Sequence, residues 1–289
     1  MFSGAITALV TPFRNGAIDT VSLSDLVNWQ IEQGIDGLLA CGCTGEAATL
    51  STEEHHQVVR TVLEAAEGRV PVIAGTGTND TASSVKLSLE TAALGVDAVL
   101  LITPYYNKPT PEGQIEHYSL IADAVDCPVI LYNVPGRTGT NMLPSTIAQL
   151  AEHPRIVAIK DAAGSAERVT AIRNLCDITV LSGDDPIAMA QVALGAAGVI
   201  SVVSNIAPAA MSELISHTAS GNLQKARKIQ SRLYPVIKAM FLETNPMPVK
   251  KSLALMGRIQ DELRLPLVSM KEEFVPELRR ILEQAGLIL

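Results

Sequence analysis

Eight short apolar segments recur along the chain, roughly one every 20 to 35 residues, and each ends in Gly, Pro, Thr, Asn or Asp. They are nearly continuous in apolar residues rather than alternating, which is typical of strands buried on both faces of a parallel sheet. They read GAITALVTP from Gly4, GLLACG from Gly37, VPVIAGTG from Val70, DAVLLITP from Asp97, CPVILYNVP from Cys127, RIVAIKD from Arg155, ITVLSGDD from Ile178 and GVISVVSN from Gly198. The pattern predicts a sheet of eight parallel strands.

Segments with helical periodicity separate these strands. The clearest runs from Ser51 to Ala66, where Ser51 and Glu54 have the spacing of a capping box. Thr110-Pro111 and Asp185-Pro186 predict two further helix starts, because proline is tolerated at the first helical position, where its missing N–H costs little. Helices and strands therefore alternate along the chain.

Eight strand–helix units predict an α/β fold, the (β/α)8 or TIM barrel, since an open doubly wound sheet more often has fewer strands. The length of 289 residues fits one such barrel. Helical patterns at about 224–241, 248–259 and 270–285 follow the eighth strand, and we interpret them as the eighth helix plus a C-terminal helical extension. We expect the barrel with the active site in residues 1–220 and a C-terminal helical region in residues 221–289.

Composition narrows the functional class. Hydrophobic residues make up 47% of the chain and charged residues 18%, so a large core can form without disulfides or metal ions. The net charge of −8, with no basic run longer than a pair, argues against nucleic acid and anionic membrane surfaces as partners.

The N-terminal segment and the cysteines bear on location. MFSGAITALVTPF has no basic leader, and no apolar run approaches the length of a membrane span. We therefore expect a cytoplasmic protein. The four cysteines, Cys41, Cys43, Cys127 and Cys176, are expected to be reduced thiols in that compartment.

Lys160 is the first candidate for chemistry, because it ends the apolar segment IVAIK and active sites of such barrels lie at the carboxyl ends of the strands. A lysine that points into a barrel loses hydration, which lowers its pKa and leaves a neutral amine able to attack a ketone. The product would be a Schiff base. The alternative is an ordinary lysine that pairs with Asp161 or caps the strand.

Tyr132 ends the preceding strand, where its phenol could carry protons for such a reaction, although a core aromatic remains an alternative. Tyr105 and Tyr106 also lie at a strand end, so three of the five tyrosines cluster on the predicted catalytic face. Arg137 follows in GRTG and could hold a substrate carboxylate or be a surface residue.

The segment CGCTGE, residues 41–46, favours anion binding over metal binding. Its glycines allow close backbone approach, Thr44 offers an N–H and a hydroxyl to a carboxylate, and Glu46 can hold the loop by hydrogen bonds. A metal site needs further ligands, whereas His55 and His56 are adjacent on a helix and point apart. We expect no metal here.

Six motifs in order resemble those of the dihydrodipicolinate synthase family, within the pyruvate-dependent class I aldolases that include N-acetylneuraminate lyase. They are CGCTGEAATL, AGTGTND, TPYYNKP, YNVPGRTG, IKDAAG and LSGDD, and they span essentially the whole chain. The resemblance implies a lyase that condenses pyruvate with L-aspartate-4-semialdehyde to 4-hydroxy-tetrahydrodipicolinate, in the diaminopimelate route to lysine. It implies no cofactor beyond a pyruvate imine on the enzyme, and a homo-oligomer, a tight dimer usually within a tetramer.

The resemblance also implies a role for each residue of the site. Lys160 resembles the Schiff-base lysine, Tyr132 the proton-transfer residue, and Cys43 stands at the relay position. Thr44 resembles the ligand of the pyruvate carboxylate and Arg137 that of the semialdehyde carboxylate. Gly183 and Ile200 resemble residues that line the pocket through backbone atoms, and Tyr106 resembles a tyrosine inserted from the neighbouring subunit.

Two positions depart from the family pattern. Cys43 replaces the usual threonine or serine of the relay, and a thiol is the weaker hydrogen-bond donor. His55, Asn79 and Tyr105 match the family's feedback site for lysine, but Ser83 stands where that site has a glutamate. The resemblance therefore implies a degenerate allosteric site with weak or absent lysine inhibition.

Two other functions remain possible from the sequence. One is another aldolase of the superfamily, such as N-acetylneuraminate lyase or a keto-sugar-acid aldolase, although these typically lack an arginine at the position of Arg137. The other is a catalytically silent barrel. The joint presence of the candidate site residues argues against it, namely Lys160, Tyr132, Tyr106, Thr44 and Arg137.

Overall fold

Eight parallel strands close into a barrel in the computed structural model, which describes residues 2–289. The barrel strands are β1 (Gly4–Ala8), β4 (Gly37–Ala40), β5 (Val72–Gly75), β6 (Ala98–Ile102), β7 (Val129–Asn133), β8 (Ile156–Asp161), β9 (Thr179–Ser182) and β10 (Gly198–Ser201). They follow one another around the barrel in chain order, and β1 closes it by pairing with both β4 and β10, where Ile6 lies opposite Gly37 and Ile200. All eight predicted strands, and the (β/α)8 fold, are confirmed.

Helices follow the strands, and most of them pack against the outside of the barrel. They are α1 (Thr20–Glu32), α2 (Thr52–Ala66), α3 (Thr81–Ala92), α4 (Pro111–Ala124), α5 (Pro135–Thr138), α6 (Pro144–Leu150), α7 (Glu167–Arg173), α8 (Ala188–Ala193) and α9 (Pro208–Ala219). The predicted capping box of α2 is present, and Thr110 caps α4 ahead of Pro111. A small antiparallel pair, β2 (Phe13–Arg14) and β3 (Ala17–Ile18), follows β1 outside the barrel.

Two details of the helix predictions were wrong. Asp185-Pro186 does open a helical segment, a 3-10 turn (Asp185–Ile187) that runs into α8, but Asp185 does not cap it. Its carboxylate instead accepts hydrogen bonds from the backbone N–H groups of Val202 and Val203 after β10. The eighth barrel helix is α9, which ends at Ala219, so none of the three helical patterns beyond it belongs to the barrel.

The apolar strands serve two separate cores, which explains their unbroken hydrophobicity. Alternate side chains from all eight strands, Leu39, Ile73, Leu181 and Ile200 among them, form one cluster, and in a closed barrel this cluster fills the interior. The intervening side chains, such as Leu38, pack with the helices into the larger outer core.

The C-terminal region consists of α10 (Leu223–Ala239), α11 (Met247–Leu255) and α12 (Val275–Gln284). Within it α10 packs on α9, while α11 contacts the 3-10 turn that follows β10. The segments around α11 thereby reach the carboxyl ends of the strands. We retain the division near residue 220 as a proposal, since α9 ends at Ala219 and α10 begins at Leu223.

Candidate functional site

Lys160 points into the barrel near the carboxyl end of β8. It lies two residues after Ala158 of the interior cluster, and side chains two apart on a strand share a face. Only 6% of Lys160 is exposed. Burial lowers its pKa from 10.5 to about 8, although the nearby side chains of Cys43, Asp185 and Asp184 work in the opposite direction. Near neutral pH this amine is far more often uncharged than that of a surface lysine.

Asp161 is not the partner of Lys160. Its carboxylate accepts hydrogen bonds from the guanidinium of Arg168, with Nη2 at 2.8 Å and Nε at 3.0 Å from Oδ2. Since neighbouring residues of a strand face opposite sides, Asp161 belongs to the outer face and Lys160 to the interior. The structural alternative for Lys160, a pair with Asp161, is therefore excluded.

Tyr132 lies beside Lys160 in the adjacent strand. The two residues are register partners of β7 and β8, and the Lys160 Nζ lies 4.3 Å from the centroid of the Tyr132 ring. Burial, together with the neighbouring Cys43 thiol, raises the pKa of Tyr132. The phenol is thus protonated near neutral pH and can donate a proton next to the amine.

The loop after β4 places Cys43 and Thr44 at this site. Cys43 is partly buried, whereas Thr44 is 4% exposed and its Oγ1 accepts a hydrogen bond from Nδ2 of Asn245 at 3.0 Å. Cys41 is buried, with a raised pKa caused by burial, and remains a small core residue without chemistry. All four cysteines are free thiols.

Glu46 holds this loop through two hydrogen bonds. Its Oε1 pairs with the Lys250 Nζ at 2.6 Å, and its Oε2 accepts from the backbone N–H of Arg264 at 3.0 Å. The side chains of Glu46 and Lys250 are both fully buried. The expected loop-holding role of Glu46 therefore has a structural basis, and the C-terminal region supplies both partners.

Arg137 lies at the mouth of a cavity of about 300 Å3. It belongs to the short helix α5, its side chain is exposed, and its Nη2 donates to the backbone carbonyl of Asn245 at 3.1 Å. Cys43, Tyr132, Arg137 and Asn245 line this cavity together. A carboxylate held by Arg137 would therefore lie close to the catalytic side chains.

Gly183 lies beside Lys160, and Ile200 lies in the barrel interior. A Cβ at Gly183 would lie 3.1 Å from Lys160 Cε and 2.7 Å from Ala162 Cβ, so only glycine leaves room for the lysine stem. Ile200, on β10, is 1% exposed and belongs to the interior cluster.

Three of the four residues expected at the lysine site lie near one another. His55 and Tyr105 line the same cavity, and Asn79 donates from Nδ2 to the backbone carbonyl of Tyr105 at 3.2 Å. His55 bonds through Nε2 to the Gly75 carbonyl at 2.8 Å, and burial lowers its pKa. Ser83, in contrast, is exposed in the first turn of α3 and does not line the cavity.

Tyr106 is the one expected catalytic residue that the structure keeps away from the others. Its side chain is 90% exposed, and its backbone is left-handed with φ of 73°. It does not line the cavity of its own chain.

Sequence reasoning missed Asn245 and Lys250, which bring the C-terminal region to the site. Neither carries a local signal, because each acts through contacts more than 100 residues away in sequence: Asn245 with Arg137 and Thr44, Lys250 with Glu46. Within residues 2–289 no group of three or more His, Cys, Asp or Glu side chains is arranged to hold a metal, and no helix is long and apolar enough to cross a membrane.

Comparison with known proteins places these features in a family. The model of the dihydrodipicolinate synthetase family matches residues 1–285. A 4-hydroxy-tetrahydrodipicolinate synthase from Trichlorobacter lovleyi is 52% identical over 290 aligned positions, covering 100% of both chains. A chloride-inhibited dihydrodipicolinate synthase from Acinetobacter baumannii, complexed with pyruvate, superposes with a TM-score of 0.98 at 46% identity, covering 100% of both chains.

A third relative is described with lysine bound. This dihydrodipicolinate synthase from Cyanidioschyzon merolae superposes with a TM-score of 0.96 at 38% identity and covers 99% of each chain. Family model, sequence relatives and solved structures agree over the full length. The chain therefore belongs to the dihydrodipicolinate synthetase family.

Proposed function

We propose that this chain condenses pyruvate with L-aspartate-4-semialdehyde to give 4-hydroxy-tetrahydrodipicolinate, as a lyase of diaminopimelate and lysine biosynthesis. Relatives that are 52% identical in sequence over the full length are named for this activity. The observation in the structure that carries the proposal is Lys160, a buried amine of lowered pKa whose Nζ lies 4.3 Å from the ring centroid of Tyr132.

The first half of the reaction builds a nucleophile from pyruvate. Neutral Lys160 attacks C2 of pyruvate, the ketone oxygen takes a proton, and water leaves to give an iminium. Loss of a methyl proton then yields an enamine. The iminium nitrogen accepts the electron pair, so no other cofactor is called for, and the Thr44 loop holds the pyruvate carboxylate.

The second half adds the aldehyde. The enamine carbon attacks the aldehyde carbon, and the aldehyde oxygen takes a proton. The amino group of the acceptor then attacks the imine carbon, closing the ring and releasing Lys160. Arg137 binds the acceptor's carboxylate at the cavity mouth.

Proton transfer in both halves is assigned to Tyr132. The phenol lies beside Lys160, and the Cys43 thiol lies beside the phenol. A second copy of the chain supplies Tyr106 to extend this path, which fits the 90% exposure of that side chain. We accordingly propose a tight dimer within a tetramer, located in the cytoplasm.

An aldolase for sugar acids is the competing function. Arg137 argues against it, because a guanidinium at the cavity mouth recognises a carboxylate rather than the hydroxyl groups of a sugar chain. Lys160 argues against a catalytically silent barrel, because its amine is buried and its pKa is lowered. Burying an amine without a structural partner costs stability, and such perturbed groups cluster at functional sites.

Borohydride trapping tests the proposal directly. Reduction in the presence of pyruvate is expected to fix a pyruvate-derived adduct on Lys160, located by peptide mass spectrometry, and Lys160→Arg serves as the control that gives none. Turnover is then compared between L-aspartate-4-semialdehyde and sugar aldehydes. The absence of an adduct in the unaltered protein would refute the lyase chemistry, and a preference for sugar aldehydes would assign the competing function.

A further inference from the structure

Asn245 is a buried side chain at the cavity whose hydrogen-bonding capacity is only partly used. It is 6% exposed and lines the cavity with Tyr132 and Arg137. Its Nδ2 donates to Thr44 Oγ1 at 3.0 Å, but its Oδ1 is buried without a hydrogen-bond partner in the described part of the chain. Leaving a buried acceptor unpaired is costly, so such an atom points to a ligand that pairs with it.

The neighbours of Asn245 indicate which chemical group this ligand presents. The backbone carbonyl of the same residue receives the Arg137 Nη2 at 3.1 Å, so the guanidinium and the amide lie next to each other. Arg137 selects a carboxylate, whereas a free carbonyl oxygen selects a hydrogen-bond donor. An α-amino acid presents both groups on one carbon.

We propose that Asn245 reads the α-ammonium group of the aldehyde substrate through its Oδ1, beside the carboxylate that Arg137 binds. The inference rests on the proposed function and adds a specificity determinant to it. Acceptors that carry a carboxylate but no amino group leave Oδ1 unpaired, and sites built to pair a polar group reject analogues that lack it. The Nδ2 of the same side chain donates to Thr44 Oγ1. Asn245 therefore links the binding site of the aldehyde to that of pyruvate.

The test compares L-aspartate-4-semialdehyde with succinate semialdehyde, which differs only in lacking the amino group. Single turnovers start from the pyruvate-loaded enzyme, and borohydride quenching at each aldehyde concentration measures how fast the unreacted pyruvate adduct on Lys160, identified by its mass, is consumed. In the unaltered protein we expect the amino-bearing aldehyde to half-saturate at a concentration at least tenfold lower, the effect of one hydrogen bond to a charged group. Equal half-saturation would overturn the proposal without any variant.

Asn245→Leu then separates recognition from support of Thr44. It is expected to raise the half-saturating concentration at least tenfold for the amino-bearing aldehyde and to leave that for succinate semialdehyde within about threefold. Thr44→Val is the matched control, with weaker pyruvate loading and equal effects on both aldehydes. If Asn245→Leu gave this second pattern, Asn245 would act only through Thr44 and the proposal would be wrong. Failure of pyruvate to form any adduct would instead refute the proposed function.

Discussion

At the scale of single residues, the pKa of Lys160 has the most direct consequence. A lysine with an ordinary pKa has a neutral fraction of about one in three thousand at pH 7, and a pKa of about 8 raises this to about one in ten. Below pH 8 the neutral fraction falls about tenfold per pH unit, because protonation removes the nucleophile.

The rate of pyruvate trapping on Lys160 should therefore rise with pH. We expect an increase of about tenfold per pH unit up to pH 7 and a plateau above pH 9, centred on the pKa of about 8. The measurement is the initial rate of borohydride-trapped adduct at subsaturating pyruvate, which stays ionised throughout. A profile that is flat between pH 6 and pH 8 would contradict a titrating amine of this pKa.

Cys43 is the second residue with a testable role. Its thiol lies beside Tyr132, at the relay position where the resemblance of the sequence motifs implies a hydroxyl group, and a thiol is the weaker donor. We expect Cys43→Thr to keep or raise turnover and Cys43→Val, of similar shape but without a polar hydrogen, to lose most of it. Fully active Cys43→Val enzyme would remove Cys43 from the proton path.

A site residue could be predicted from the sequence when its role follows from a local sequence pattern, and not when it depends on contacts with residues distant in sequence. Lys160, Tyr132 and Arg137 were identified because each ends or follows an apolar strand, a local pattern that the barrel turns into a shared position. Asp185 was misassigned as a helix cap because its true partners, the N–H groups of Val202 and Val203, follow the neighbouring strand β10 and are distant in sequence. Asn245 was missed for the same reason.

At the scale of elements, a buried ion pair joins the loop after β4 to α11. The backbone of Glu46 is left-handed with φ of 53°, and its contact with Lys250 fixes a strained turn two residues after Thr44. A pair of this kind need not stabilise the fold relative to apolar residues, but removing one partner leaves a buried charge.

We therefore expect Lys250→Met to lower the free energy of unfolding by about 3 to 5 kcal/mol in chemical denaturation. The double variant Glu46→Gln with Lys250→Met should recover at least half of that loss, since the stranded carboxylate is gone. Lys271→Met is the matched control: its contact with Glu273 is 3.8 Å long and exposed on both sides, so a change below about 0.5 kcal/mol is expected. Equal effects at Lys250 and Lys271 would show that burial of the pair does not matter.

The first turn of α3 determines the expected response to lysine. Ser83 lies there, exposed, and offers no carboxylate to an ammonium group, while His55, Asn79 and Tyr105 are retained nearby. We expect turnover to be insensitive to micromolar lysine. Ser83→Glu is expected to increase lysine affinity by on the order of tenfold, the effect of one charge-assisted hydrogen bond. Strong inhibition of the unaltered protein by micromolar lysine would contradict this expectation.

The helical elements show where sequence patterns stop being informative. Strong local signals placed the capped helices α2 and α4 within a residue of their observed starts. The eighth barrel helix, α9, was overlooked because its residues continue the apolar and small composition of β10 and the turn after it, without a polar cap. Its identity depends on packing against β1, which no short-range pattern contains.

At the scale of the whole molecule, one chain does not assemble the full set of expected catalytic residues. Lys160, Tyr132, Thr44 and Arg137 come from the barrel, and Asn245 comes from the C-terminal region. Tyr106 faces solvent, and its backbone is left-handed. This conformation costs energy for an aromatic residue, and such strain is typical of functional sites. Insertion of the Tyr106 side chain into the site of a neighbouring copy would account for this strain.

Complementation between two inactive variants distinguishes a shared site from a self-contained one. Tyr106→Phe and Lys160→Ala should each be nearly inactive alone. If Tyr106 acts across a dimer interface, a mixed dimer has one site that combines Lys160 of the first chain with Tyr106 of the second, so unfolding and refolding an equimolar mixture should restore up to about a quarter of wild-type activity. The same protocol with Lys160→Ala and Tyr132→Phe is the control, since Lys160 and Tyr132 of a given site both come from the same chain. In that control one site of each mixed dimer lacks Lys160 and the other lacks Tyr132, so no activity should be recovered. If the mixture of Tyr106→Phe and Lys160→Ala also recovers no activity, Tyr106 does not act across a dimer interface.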